Sequence, residues 1–504
     1  MLAGPQIVLG PSRVEGRVID LKSGLPLQGV RITLVGVETQ AEITDKAGHF
    51  KFLGLVPGDY RLLAEKRDFI LLGHAQLPIP REPQLQLRLA RGESPKDIVI
   101  HMAQPSAITG VVQDSNGEPV PSRGVTLSRY AYNNDGIRYL ANVLNGQTND
   151  RGEFRLFGLP PGGYYVSVGG ALGDRYVSRR TYYPGTTAED RADIVHVGPG
   201  DEVRLNTLLL QRAKAVRLRL GLVLPPPARP ALLSIQVGDF FFSSLNVDGR
   251  TEVSIPLTAG HYEYSVANYG FSAGVDQTVH YGRVNLDVGT TDIDLDVPMA
   301  RAFRLSNSMV VEDAQGTRRL NIRNGDGSVV CRLKSIPPDI LGFAFPCAGP
   351  TIPPGFYRVE VTNLPANMYV LSATVAGTDL LNEGLRVTAD TQLEVRLGSP
   401  GTSVQGTVRN AKGTVGLADA IVALVPAPPL RGVALWYRSS VSDILGHFEL
   451  QGVAPGTYHL FAWENIEGEA FRNAQFMKKY DARGTLLRIG KDARILVDVT
   501  PLQP

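Results

Sequence analysis

The side chains that could carry out chemistry are few, and their spacing is poor for catalysis. None of the eight histidines is followed by glutamate at the third position, so the H-x-x-E zinc motif is missing. Residues 270–274, Gly-Phe-Ser-Ala-Gly, match the nucleophile elbow of serine hydrolases. That elbow needs a helix after the serine, whereas the residues that follow alternate like a strand. We therefore expect no enzyme activity, no metal site and no cofactor.

The composition excludes several classes of partner. The chain of 504 residues has 51 Lys and Arg against 49 Asp and Glu, so no overall charge attracts nucleic acid. No stretch approaches the ~20 apolar residues of a membrane-spanning helix. The first ten residues are apolar but lack the basic start of a signal peptide. The protein is then either cytoplasmic or a form without its leader, and we expect the second, an extracytoplasmic location.

A repeated pattern carries most of the information. It reads [DN]-x-x-G-x-F-x-[FL]-x-G-[LV]-x-P-G-x-Y-x-[LV] and occurs three times with the same internal spacing. The copies begin at Asp45, Asn149 and Asp443 and reach their tyrosines at Tyr60, Tyr164 and Tyr458. The opening Asp or Asn and the following Gly predict a turn capped by the side chain. The alternating apolar residues predict two strands that share one buried face, with the three tyrosines in the core.

A second element, [VI]-x-G-x-V, precedes each copy and centres on Gly16, Gly110 and Gly406. Fainter Gly-x-Tyr turns end at Tyr262 and Tyr357, which gives a nearly constant period of about 100 residues. This period predicts an all-β fold, a tandem array of about five β-sandwiches. The predicted limits are 1–11 for a tail and 12–104, 105–212, 213–300, 301–400 and 401–504 for the domains.

Together the two elements resemble the carboxypeptidase regulatory-like domain, a transthyretin-like sandwich. The resemblance covers nearly the whole chain but is strong only for the first, second and fifth domains, and the third and fourth look degenerate. It implies stabilising, docking or sugar-binding roles. Since short linkers join the domains, we expect an extended monomer in which each domain contacts only its neighbours.

The fifth domain holds both tryptophans of the chain, Trp436 and Trp463. Trp463 is expected on the outer face of its strand, because Tyr458 and Leu460 take the core positions of the repeat. Residues 469–480 are expected to form a short helical cap. Two readings stay open: the cap covers Trp463, or Trp436, Tyr437, Trp463 and Tyr480 form an open platform for a ligand.

The two cysteines, Cys331 and Cys347, lie on either side of a predicted turn in the fourth domain. They form either a disulfide across this hairpin or two buried thiols. A disulfide would indicate an oxidising compartment.

Three functions remain open on the sequence alone. The first is a non-catalytic scaffold of the cell envelope or the extracellular space that binds protein partners. The second is an array of carbohydrate-binding modules that grip cell-surface sugars. The third, and weakest, is an accessory regulator of a separate peptidase.

Overall fold

The structure is a computed structural model that describes residues 12–72, 84–169, 176–178, 180–210, 212–214, 216–223, 232–237, 240–244, 254–257, 260–269, 280–298, 300–313, 316–319, 330–335, 344–346 and 352–503. These residues are almost entirely β-structure, arranged in separate sheets along the chain. The predicted all-β tandem array is confirmed.

The first domain packs two four-stranded sheets around one core. Its strands are β1 (Ser12–Asp20), β2 (Arg31–Val35), β3 (Thr39–Ile43), β4 (His49–Leu55), β5 (Gly58–Glu65), β6 (Ile70–Leu71), β7 (Leu85–Leu89) and β8 (Ile98–Ala103). The strand orders are β4-β1-β8-β6 and β3-β2-β5-β7. Alternate residues of β1, β4 and β7 are buried, as the period of two predicts.

The second domain repeats this plan with additional short strands. They are β9 (Ser106–Asp114), β10 (Gly124–Tyr132), β11 (Arg138–Gln147), β12 (Glu153–Leu159), β13 (Gly162–Val168), β14 (Tyr176–Ser178), β15 (Thr181–Tyr182), β16 (Val195–Val197), β17 (Glu202–Arg204), β18 (Leu208–Leu210) and β19 (Arg212–Lys214). A 3₁₀ turn, Glu189–Arg191, lies between β15 and β16. Strand β19 pairs with β14.

The third and fourth domains have the same layered arrangement. The third contains β20 (Val216–Val223), β21 (Leu232–Val237), β22 (Phe240–Ser244), β23 (Ser254–Leu257), β24 (Gly260–Tyr269), β25 (His280–Val288), β26 (Ile293–Pro298) and β27 (Ala300–Arg301). The fourth contains β28 (Leu305–Asp313), β29 (Gly316–Arg319), β30 (Val330–Ser335), β31 (Ala344–Pro346), β32 (Gly355–Thr362), β33 (Tyr369–Val375), β34 (Thr378–Asp379), β35 (Leu385–Val387) and β36 (Thr391–Gly398). Strand β27 pairs with β25.

The fifth domain adds a helical segment to its sandwich. Its strands are β37 (Thr402–Thr407), β38 (Ile421–Pro426), β39 (Arg438–Val441), β40 (His447–Val453), β41 (Gly456–Trp463), β42 (Thr485–Ile489) and β43 (Arg494–Leu496). The helix α1 (Ala474–Met477) lies among the 3₁₀ turns Leu430–Gly432, Ala434–Trp436, Ala470–Arg472 and Asp481–Arg483. Residues 469–483 therefore include the predicted helical cap.

All five domains share one long-range pairing. The first long strand of each runs parallel to a strand near its end, in the pairs β1–β8, β9–β17, β20–β26, β28–β36 and β37–β43. The third and fourth domains keep this pairing although their sequence motif has faded. They are therefore versions of the same fold.

The capped turn of the repeat takes the predicted form in all three strong copies. An Oδ1 atom of Asp45, Asn149 or Asp443 accepts hydrogen bonds from the backbone N–H groups two and four residues later, at 2.7–3.0 Å. The following Gly48, Gly152 and Gly446 have φ between 71° and 86°, a left-handed conformation that favours glycine. The turn thus fixes where β4, β12 and β40 begin.

The repeat tyrosines are buried anchors, as predicted. Tyr60, Tyr164 and Tyr458 are at most 1% exposed. Each hydroxyl donates to the carbonyl oxygen four residues earlier, at 2.7–2.9 Å, and Tyr357 of the fourth domain does the same. This bond fastens each strand to the turn before it, in the manner of the tyrosine corner of immunoglobulin sandwiches.

Candidate functional site

The predicted aromatic platform is a packed core. Trp463 has no exposed surface and stacks on Phe461, with ring centroids 5.4 Å apart and planes at 16°. Tyr480, 1% exposed, meets the indole edge-on at 5.5 Å, and Phe476 packs beside both. The cap covers this outer face because its own aromatic residues would otherwise be exposed to water. The structure thus has the covered arrangement, one of the two that the sequence left open, and Trp463 and Tyr480 are not exposed as a platform.

The other two predicted platform residues lie at the junction with the fourth domain. Tyr437 is buried, which raises the pKa of its phenol, and its hydroxyl donates to the Arg431 carbonyl at 2.9 Å. The Trp436 indole donates from Nε1 to the Val370 carbonyl of the fourth domain at 3.1 Å. Its ring packs against the cores of both domains, and Val433 is part of the fourth domain's core. Trp436 is therefore an anchor between domains.

The fifth domain also docks on the first, which is far away in sequence. The capped turn at Asp443 lies along the edge strand β7: the Ile444 N–H donates to the Gln86 carbonyl at 2.9 Å. Asp443 accepts the Arg88 N–H on Oδ2 at 2.8 Å. Ile444 and Leu445 pack against the first domain's core. The turn thus covers a sheet edge that would otherwise expose unpaired backbone groups.

Charged side chains surround this contact. The Arg88 guanidinium pairs with Glu449 of the fifth domain and with Asp59 of its own domain, the latter at 2.8 Å. His447 lies 3.4 Å from the Asp443 carboxylate and 3.7 Å from Glu93 of the first domain. Its hydrogen bond to Asp443 raises the pKa of His447, and Glu93 adds to the effect.

The cap of the fifth domain contacts the second domain. Arg138 forms a two-pronged ion pair with Glu467, at 2.8 and 2.9 Å. The Asn473 amide donates to the Gly136 carbonyl at 2.9 Å, and Tyr132 packs near Phe476. Hence the expectation that each domain contacts only its sequence neighbours is wrong. The reason is that the contacts come from loops and from the cap, which lie outside the repeat.

A cleft of about 280 Å³ lies where the second, fourth and fifth domains meet. Three arginines from two domains line it, together with two carboxylates, and apolar side chains complete the wall. The lining residues include Asp135, Arg358, Glu360, Leu364, Met368, Leu435, Arg438 and Arg472.

The arginines of the cleft differ in their partners. Arg358 lies 3.7 Å from Asp135, and Arg472 lies 2.7 Å from Glu469. Arg438 donates only to backbone carbonyls, those of Leu435, Tyr437, Gln451 and Gly452, at 2.7–3.2 Å. Burial lowers the pKa of Arg438. No carboxylate pairs with it among the described residues.

The remaining sequence predictions fall partly outside the described residues. Cys331 is buried and disulfide-bonded, whereas Cys347 lies outside the described residues, so their pairing stays a prediction. Ser272 and its glycines also lie outside them. Within the described part of the chain, no cluster of His, Cys, Asp and Glu is arranged to hold a metal ion. The described helices include none long and apolar enough to span a membrane.

Comparison with solved structures finds matches of low identity. The TIE protein of Bacillus anthracis is 13% identical over 58% of this chain and 51% of its own, with a TM-score of 0.19. The shaft pilin SpaA of Lactobacillus rhamnosus GG is 12% identical over 40% of this chain and 98% of its own, with a TM-score of 0.19. The minor pilin GBS52 of Streptococcus agalactiae is 16% identical over 44% and 99%, with a TM-score of 0.20. Scores this low carry no argument about function.

No curated protein matches the chain. One family model does: residues 13–88 match the carboxypeptidase regulatory-like domain. The match covers most of the first domain, where the repeat pattern is strong, and confirms the resemblance there.

Proposed function

We propose that the chain is a non-catalytic scaffold of the cell envelope or the extracellular space that docks protein partners and works as a monomer. The contacts of the fifth domain with the first, second and fourth support this proposal best. They join domains that are distant in sequence, so surfaces on separate sandwiches keep a fixed relation. A scaffold that presents several docking surfaces needs such a relation.

The open edge of the first domain is the docking surface we propose. Strand β3 is the outer strand of its sheet, opposite the edge that the fifth domain covers. Ile43, on this strand, is 67% exposed, and Val37, just before it, is 63% exposed. Leu53 and Val56 are exposed nearby, where Gln40 and Glu38 hydrogen-bond to their backbone. An extended partner segment adds to such an edge by backbone hydrogen bonds.

Site-specific crosslinking in the cells that make the protein tests this proposal. A photo-reactive residue at Glu42, an exposed position on β3, should give a protein adduct, and cell fractionation should find the chain outside the cytoplasm. The matched control is the same residue at Arg67, whose side chain is 94% exposed in the turn between β5 and β6. Ile43→Lys with Val37→Lys should abolish the Glu42 adduct, because charge on an edge strand discourages pairing.

Two results contradict the proposal: equal adducts from Glu42 and Arg67, or a chain confined to the cytoplasm. The adduct's identity also separates the other functions. A peptidase in the adduct would establish the accessory role. An adduct with glycan and no protein would favour carbohydrate binding, although Trp463 and Tyr480 are too buried to grip a sugar.

A further inference from the structure

The cleft between the second, fourth and fifth domains has the composition of a site for a small anion. Among the described residues its lining includes three arginines and two carboxylates. Leu364, Met368 and Leu435 supply an apolar wall. Small-molecule sites typically combine such a wall with a few convergent polar groups.

Arg438 is the residue that points to a ligand. Arg438 is half-buried, and a cation partly withdrawn from water is costly unless it is paired, a cost that backbone carbonyls offset only in part. Its Nε and Nη1 atoms are occupied by the carbonyls of Gln451, Leu435 and Tyr437, while Nη2 makes one bond, to Gly452. One N–H of Nη2 thus has no acceptor among the described residues. The four carbonyls hold the guanidinium rigidly at the cleft.

The other two arginines suit the same ligand. The Arg472 guanidinium stacks over the Tyr437 ring at 4.9 Å and is close enough to lower the pKa of Arg438. Arg358 faces them from the fourth domain, held at 3.7 Å by Asp135. Arg472 bonds Glu469 through Nε and the Ala434 carbonyl through Nη1, so its Nη2 remains to donate to a carboxylate beside the one N–H of Arg438.

We propose that this cleft binds a small ligand with a single carboxylate, either an acidic sugar or the free carboxyl terminus of a short peptide. The carboxylate lies against Arg438 and Arg472, and the apolar part of the ligand lies over Leu364 and Met368. Since Glu469 already pairs with Arg472, the lining suits a single negative charge better than two. A dianion such as phosphate would meet repulsion from Asp135 and Glu360. The site extends beyond the docking role proposed above and does not depend on strand β3.

Calorimetric titration of the full chain tests this. The probes are glucuronate and methyl glucoside for the sugar source, N-acetylalanine and its amide for the peptide source, and inorganic phosphate. We expect one of the two carboxylates to bind and its neutral counterpart to fail, which also identifies the source. Arg358→Gln should weaken binding about fivefold, because it removes one positive charge from the wall of the cleft, worth about 1 kcal/mol of attraction at a site open to water. Asp135→Asn should strengthen it, because it removes a negative charge from the wall.

Arg438→Gln should abolish binding, but it also removes four bonds inside the fifth domain. Arg358→Gln and Asp135→Asn belong to other domains and decide the question if Arg438→Gln misfolds. Arg396→Gln is the control, since Arg396 pairs with Glu312 and Glu394 outside the cleft. The proposal is overturned if neither carboxylate binds the wild-type chain, if the neutral counterparts or phosphate bind as well, or if Arg358→Gln and Arg396→Gln act alike.

Discussion

At the scale of single residues, the tyrosine of each repeat does more than fill the core. Its hydroxyl donates a hydrogen bond to the carbonyl oxygen four residues earlier, both in the strong repeats and in the fourth domain. The sequence shows a turn and an aromatic residue at fixed spacing. It does not show that the two are bonded, and this bond explains why the Gly-x-Tyr remnant survives in the faded fourth domain.

Removing that hydroxyl should measurably lower the free energy of unfolding of the fifth domain. Tyr458→Phe leaves the buried Ala454 carbonyl without its donor and should cost about 1–3 kcal/mol. Tyr458→Ala should cost about 3–5 kcal/mol, because it also leaves a cavity. Both tryptophans lie in this domain, so urea unfolding followed by their fluorescence reports on it. Tyr139→Phe, at a position 46% exposed, should change nothing, and equal effects from the two Phe variants would contradict the assignment.

His447 should make the contact between the first and fifth domains sensitive to pH. Its ring faces Asp443 and Glu93, with the cation Arg88 held nearby by Glu449, and its pKa is raised from 6.5. Since the folded pKa lies above the unfolded value, the stabilisation is full below about pH 6.5 and is lost as pH rises through the folded pKa. His447→Gln should therefore lower the urea midpoint at pH 6 more than at pH 8.5.

The control for this prediction is built into the repeat. His49 occupies the equivalent position in the first domain, but its side chain is 63% exposed, and Asp45 is its only ion-pair partner among the described residues. His49→Gln should leave the midpoint of the fifth domain unchanged at both pH values. A His447→Gln effect that is the same at both would show that packing, and not charge, is responsible.

Cys331 and Cys347 should be joined. We propose this pair because Cys331 is disulfide-bonded and the chain has one other cysteine. A bond closing this short loop would stabilise the fourth domain by up to about 3 kcal/mol. Thiol titration of the unfolded, unreduced chain should find no free thiol. Two free thiols would remove this support for an oxidising compartment.

At the scale of elements, the two sequence motifs contact each other: the glycine of one packs against the phenylalanine of the other. Gly16, Gly110 and Gly406 each lie directly across the strand pair from the repeat phenylalanine, Phe50, Phe154 or Phe448. A Cβ atom at Gly110 would lie 2.7 Å from the Phe154 ring. The glycine is there because the aromatic ring lies over its backbone.

Gly110→Ala should therefore destabilise the second domain by about 1–3 kcal/mol through overpacking. Adding Phe154→Leu should restore part of the loss, since the smaller side chain leaves room for the methyl group. Hydrogen exchange of the β9 and β12 amides measures both. Gly124→Ala, where nothing lies within 4 Å of the added Cβ, is the control. Additive effects of the two substitutions would contradict the direct contact.

The elements also show what a sequence can and cannot predict. Strands and turns can be predicted because the alternation of apolar and polar residues and the Asp-x-x-Gly spacing are local properties of the chain. The pairing of β1 with β8 or β28 with β36 joins residues about 80 positions apart, and no local pattern specifies it. Trp463 was correctly placed on an outer face, but whether the cap would cover it depended on the packing of Phe476 and Tyr480.

At the scale of the whole molecule, the fifth domain holds together parts of the chain that are hundreds of residues apart. Arg88 binds Asp443 and Glu449, and Arg138 binds Glu467. Of these residues only Asp443 is a fixed position of the repeat pattern, and there it indicates a turn, not a contact between domains. For this reason the sequence predicted the domains but not their association, and it predicted no cleft between them.

Breaking these contacts should let the first two domains separate from the fifth. Arg88→Ala with Arg138→Ala removes both ion-pair groups, and the radius of gyration from small-angle scattering should increase. High salt should increase it in the wild type as well, because partly exposed ion pairs are screened. The exposed Arg396→Ala variant should match the wild type. An unchanged radius in the double variant would show that the apolar contacts of Ile444 and Leu445 suffice.

The capped turn at Asp443 has a consequence for how such arrays acquire new contacts. Its carboxylate has two acceptor atoms: Oδ1 accepts the bonds of the turn itself, and Oδ2, which also faces the His447 ring, accepts the Arg88 N–H of another domain. At the same place Asn149 has an amide nitrogen, which donates to Glu153. Duplicating a repeat that begins with Asp thus copies a spare acceptor at the tip of a rigid hairpin. Replacing the Asp by Asn removes that acceptor but keeps the turn, since Asn149 accepts the same two turn hydrogen bonds through its Oδ1 atom.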